Sequence, residues 1–81
     1  MIEELMEFLK VEYLLEVVKY QGEDDEGFYF VVMNKNKCFE EFRILKEVNL
    51  SKEHNIEKRS LGLSYWKFAG EINLNKQLTY I

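Results

Sequence analysis

The sequence predicts an α+β fold: an N-terminal helix packed on a four- to five-stranded, mostly antiparallel β-sheet, laid out as a meander of hairpins. Three observations point there. Apolar residues recur at helical spacing most clearly at the start of the chain, in Ile2, Leu5, Met6 and Leu9. Beyond that point they alternate with polar residues at period two. The clusters that break this alternation, Gly22–Gly27 and Asn34–Lys37, are short and turn-forming, and short connections join antiparallel neighbours.

The alternation is clearest in two stretches that echo each other at an offset of 24 residues. Phe42–Glu53 reads FRILKEVNLSKE and Trp66–Gln77 reads WKFAGEINLNKQ. Glu47/Glu71, Asn49/Asn73, Leu50/Leu74 and Lys52/Lys76 are identical, and a fainter copy (VKYQGE) begins at Val18. In the first copy Phe42, Ile44, Val48 and Leu50 form the expected inward series; in the second, Trp66, Phe68, Ile72 and Leu74 do. Each series has a gap at its centre, Lys46 or Gly70, where a bulge or bend is expected. A helix across Cys38–Val48 is the competing reading of the first copy, but the central glycine and asparagines of the second copy suit a helix poorly.

In chain order, residues 2–10 form the helix, with Glu3, Glu4 and Glu7 near its positive end. Two readings stand for residues 11–21: a strand rich in valine and tyrosine, or a continuation of the helix to Tyr20 ended by Gly22. Gly22–Gly27 is an acidic turn before a strand in FYFVVM, and Asn34–Lys37 is a polar turn before the strand through Cys38–Ser51. Residues 52–60 (KEHNIEKRS) read as a charged connector, and Leu61–Phe68 and Glu71–Tyr80 complete the sheet.

Eighty-one residues make one small domain, 1–81, able to bury only about 60% of its unfolded surface. Homodimerisation is the route by which so small a chain would add stability. There is no proline, and the single cysteine, Cys38, can form neither an internal disulfide nor a cysteine zinc cluster. The first residues (MIEELMEFLK) carry glutamates where a signal peptide carries lysines, so a cytoplasmic location is expected. The longest apolar run, Phe28–Met33, is far short of the ~20 residues that span a bilayer.

No motif carries chemistry. His54 stands alone, Cys38 has only Lys37 beside it, and no phosphate loop or nucleophile elbow is present. The run Glu23–Glu26 lacks the ligand spacing of a calcium loop. Glu47 and Glu71 sit at matching positions, but Arg43 and Lys67 four residues earlier make cross-strand charge pairing the simpler account. The expectation is therefore a protein that is not an enzyme and takes no cofactor or metal.

Charge is unevenly placed: residues 1–33 carry −7 and residues 34–81 carry +3, within a total of −4. Together with an aromatic content of 15%, this favours a protein-binding module of the inhibitor, immunity or adaptor type. Its candidate contacts are Glu23, Asp24, Asp25 and Glu26 on the acidic turn, facing a partner with a basic patch. Arg43, Tyr65 and Lys67 are further candidates, expected together on one sheet face. The alternative is a nucleic-acid binder that stacks bases on Tyr65 among those cations, against which stand the nearby glutamates and a pI near 5.0.

Overall fold

A computed structural model describes residues 1–74. Helix α1 (Ile2–Glu12) is followed by strands β1 (Leu15–Glu23), β2 (Gly27–Asn34), β3 (Phe39–Val48), β4 (His54–Ser60) and β5 (Lys67–Ile72). The strands lie in the sheet in chain order, each antiparallel to the next, and the sheet is open. The helix packs on one face. Among the described residues no helix is long and apolar enough to cross a membrane.

The helix buries Leu5 and Leu9 and half-buries Ile2, Met6 and Phe8, the stripe that its spacing dictates. It meets the inward face of the sheet: Leu15 of β1, Phe28, Phe30 and Val32 of β2, Phe42 and Ile44 of β3, Ile56 of β4 and Ile72 of β5. No polar side chain among the described residues is buried with them. Burying one such aliphatic or aromatic side chain contributes about 1.5–3 kcal/mol, so this layer dominates the stability of a chain this small.

Residues 11–21 follow neither sequence reading in full. The helix runs two residues past Lys10, and Tyr13 and Leu14 turn the chain directly into β1. Leu14 makes that turn at φ 53, a left-handed conformation that costs a non-glycine residue about 1–2 kcal/mol. Packing maintains it, because Tyr13 then lies 4.9 Å from Phe42, ring centre to ring centre. A helix continued to Tyr20 would have carried Leu15 off the core.

The stretch expected to be a connector is a strand. Residues 54–60 form β4, paired with β3 on one side and β5 on the other. Its only buried residue is Ile56, so the alternation that marks other strands is missing from its sequence. Conversely, Leu61–Trp66 is a loop, and the sheet resumes only at Lys67. The expected strand through Tyr80 lies partly outside the described residues.

The echo encodes less strand than its length suggests. Phe42 and Ile44 are buried, but Val48 is half exposed and Leu50 fully exposed. The register slips between Ile44 and Val48, where Leu45, Lys46 and Glu47 face only Asn55. In the second copy Ile72 is buried and Leu74 packs against the core, while Phe68 is exposed and Trp66 precedes the strand. Here the slip falls at Ala69, beside Gly70. A Cβ on Gly70 would collide with the Tyr13 hydroxyl, so the glycine admits the ring that closes the helix.

The identical heart of the echo, Asn-Leu-x-Lys, is a turn in its first copy. Asn49 Oδ1 accepts from the backbone N–H groups of Ser51 (2.9 Å) and Glu53 (3.1 Å), and Lys52 sits at φ 62. The β2–β3 turn is built the same way: Asn34 Oδ1 accepts from the N–H groups of Asn36 (2.9 Å) and Cys38 (3.1 Å), with Lys37 at φ 65. Asn-x-x-Lys is thus a hairpin device used twice, its asparagine satisfying backbone donors that the tight reversal would leave unpaired.

Candidate interaction site

The face of the sheet away from the helix carries the most organised polar cluster among the described residues. Alternation along β2, β3 and β4 turns Tyr29, Val31, Glu41, Arg43, Glu57 and Arg59 outward as Phe30, Phe42 and Ile56 turn inward. The register sets Arg43 opposite Glu57 and Glu41 opposite Arg59. Arg43 Nε donates to Glu57 Oε1 at 2.7 Å, and Arg59 Nε donates to Glu41 Oε1 at 3.0 Å. Partial burial works against the Arg43 charge, but the hydrogen bonds with Glu57 and Tyr29 and the nearby Glu57 charge together outweigh it, and the guanidinium pKa is raised.

Trp66 completes the cluster. Carried by the β4–β5 loop, its ring lies 4.2 Å from the Arg59 guanidinium carbon and 4.6 Å from that of Arg43, with Tyr29 6.1 Å away at a tilt of 54°. Cations over an indole face are attracted by its quadrupole. Each arginine is therefore held twice, by a carboxylate across the strand and by the indole. Around them the same face presents Phe39 and Phe68, both exposed, and the partly exposed Val17, Val31, Met33 and Leu45.

The acidic turn joins this cluster at one end. Asp24 Oδ1 accepts from the N–H groups of Glu26 (2.8 Å) and Gly27 (3.1 Å) and from the Tyr29 hydroxyl. Desolvation raises the Asp24 pKa, but these bonds outweigh it and leave the carboxyl below its ordinary value. Glu23 pairs with Lys46 at 2.6 Å, and Glu26 reaches Arg43 at 3.4 Å. Three of the four acids offered as partner contacts thus have partners within the chain. Asp25 is exposed and acts on Lys46 only through space. Asp25 and Glu26 also border, with Arg43, Leu45 and Glu47, a surface notch of ≈ 200 Å³.

The expected grouping of Arg43, Tyr65 and Lys67 on one face does not form. The slip at Ala69 places Lys67 opposite Lys58, which is itself opposite the buried Phe42, so Lys67 takes a helix-side position. Tyr65 borders a cavity with those two lysines. It is Trp66, one residue on, that reaches Arg43. Nor do Glu47 and Glu71 pair with Arg43 and Lys67: Glu71 accepts from the Asn49 side chain, and Glu47 is exposed.

His54 and Cys38 have structural surroundings. The His54 ring is half-buried with Nδ1 2.7 Å from the Leu45 carbonyl oxygen, which fits an Nδ1–H donor. Cys38 is exposed, its thiol 3.8 Å from the Asn36 carbonyl oxygen. No group of three metal-ligating side chains occurs among the described residues.

The sequence reading missed Trp66, Tyr29, Glu41, Glu57 and Arg59 as members of one site. A signal for four charges was present: Glu41-Phe42-Arg43 and Glu57-Lys58-Arg59 are both Glu-x-Arg. Two such tripeptides in antiparallel register place each glutamate opposite an arginine. The chain matches no protein family, no curated protein and no solved structure.

Proposed function

We propose that this protein is a non-enzymatic protein-binding module, of the inhibitor, immunity or adaptor type, whose interface is the sheet face opposite the helix. The observation that carries the reading is Trp66 held between Arg43 and Arg59. Tryptophan, tyrosine and arginine are the residues that dominate interface energetics, and they do so when buried at the centre of a contact. Here their rotamers are set before any partner arrives, which lowers the ordering cost of association. Phe39, Phe68 and Met33 supply apolar area around them.

The partner is a protein with a basic patch. The notch beside Arg43 suits a lysine or arginine side chain, its aliphatic stem over Leu45 and its charge between Asp25, Glu26 and Glu47. Nucleic acid fits this face less well, because both arginines are already neutralised by glutamates and the candidate stacking residue, Tyr65, borders the helix-side cavity.

The test uses Phe39→Ser with Phe68→Ser, two exposed positions outside the core, and Asp25→Asn with Glu47→Gln. A nuclease-resistant partner captured stoichiometrically by the wild type should be lost in the phenylalanine variant. It should associate more slowly with the acid variant, the difference shrinking as salt screens charge beyond a Debye length of ~8 Å. Loss of the partner on nuclease treatment would overturn the reading in favour of nucleic acid. Self-association abolished by the phenylalanine changes, with no second protein, would assign the face to a homodimer instead.

A further inference from the structure

Lys58 and Lys67 stand directly opposite each other on β4 and β5. Like charges at directly opposed positions repel, and among the described residues neither ammonium has an ion-pair partner. The contrast with the other face is sharp, since there β3 and β4 set Arg43 against Glu57 and Glu41 against Arg59. Both lysines border a surface cavity of ≈ 240 Å³, together with Ser60, Tyr65, Leu63 and Glu40. Arg59 also touches it, but its guanidinium is engaged by Glu41 and Trp66 on the far face.

We propose that this cavity binds a small phosphate monoester carried on a planar ring. The charge argument selects the head group: two ammonium point charges without partners match a phosphate monoester, which carries about −1.5 to −2 at neutral pH. Lysine serves a tetrahedral anion as a point charge, whereas a planar carboxylate is better matched by the arginine fork. The Ser60 hydroxyl adds a donor. Tyr65, more than half exposed, and Leu63 offer an aromatic and an apolar wall for the ring. Glu40 at the border repels a longer chain of phosphates and accepts a hydrogen bond from a hydroxyl or amino group on the ring, so a monoester is selected over a polyphosphate. The site lies on the helix side of the sheet and is independent of the protein-binding face proposed above.

The experiment is an amide-resolved NMR titration of the full chain with inorganic phosphate and with phenyl phosphate. Shifts should concentrate at Lys58, Ser60, Tyr65 and Lys67, with phenyl phosphate binding several-fold more tightly than inorganic phosphate. Tyr65→Ala should remove that preference and leave inorganic phosphate unaffected. Lys58→Gln with Lys67→Gln should weaken both ligands by about tenfold or more, while the unliganded melting temperature holds or rises as the repulsion is relieved. Glu40→Gln should tighten both ligands. Shifts scattered over other lysines, binding that survives the double lysine change, or a lower melting temperature in the unliganded double variant would each overturn the proposal.

Discussion

The two faces of this sheet are stabilised by different physics. The helix side is a continuous apolar layer from Leu15 to Ile72 with no polar side chain buried among the described residues. The far side is a lattice of matched charges, Arg43 with Glu57 and Arg59 with Glu41, closed by the Trp66 indole. The first kind of contact is non-directional and scales with area. The second depends on register, because a slip of one residue along either strand would set the charges on opposite faces. The lesson lies in β4, whose single buried side chain is Ile56. Apolar burial anchors that strand at one point, and the charge lattice aligns the rest of it.

The largest effect should come from breaking the apolar side. Phe42→Ala removes a fully buried ring that touches Tyr13, and a loss of about 3–5 kcal/mol in urea denaturation is expected. In a chain of this size that loss leaves little folded protein. Retention of wild-type stability would mean that the helix does not close over β3.

Next in size is the lattice. Arg43→Ala strands a largely shielded Glu57 and should lower stability by about 1–3 kcal/mol. A double-mutant cycle with Glu57→Ala should give a coupling of about 1 kcal/mol. The exchange of Arg43→Glu with Glu57→Arg should recover part of the loss, because the register still opposes unlike charges. Additive single effects would reduce the lattice to solvated side chains.

A smaller effect should come from the hairpin device that serves both faces. Lys52→Gly relieves a left-handed φ of 62 and should raise stability by about 0.5 kcal/mol, as the relieved strain outweighs the freedom glycine adds to the unfolded chain. Asn49→Ala removes the acceptor for two backbone N–H groups and should lower it by about 1 kcal/mol. Thermal melts of the two variants should therefore shift in opposite directions.

The smallest effect concerns acid. The folded pKa of Asp24 lies below its ordinary value of 3.8, so its contribution is fully present above that pH and is lost as pH falls through the folded value. Asp24→Asn should lower the melting temperature slightly at neutral pH and flatten its fall on the acid limb. Replacing all four acids of the turn by Asn and Gln should lower stability slightly at neutral pH, since the Lys46 and Arg43 pairs go with them.

The helix, β2 and the inward residues Phe42 and Ile44 were legible because burial repeats with the local geometry, every third or fourth residue on a helix and every second on a strand. The Asn34 turn was legible for the same local reason, its side chain bonding to backbone two and four residues on. The Asn49 turn is built the same way but was absorbed into the expected strand through Ser51, because Val48 and Leu50 fit the period of two. The identity of β4 was decided elsewhere. His54–Ser60 is a strand because Glu41 and Arg43 on β3 meet Arg59 and Glu57 in register, a match between segments 16 residues apart that no window along the chain displays. The same holds for which aromatic reaches the arginines. One extra residue at Ala69 shifts the faces of β5, turning Lys67 toward Lys58 and leaving Trp66, not Tyr65, beside Arg43. Local periodicity determines which segments can form strands and helices; pairing energy between distant segments decides register, and register decides which side chains share a face.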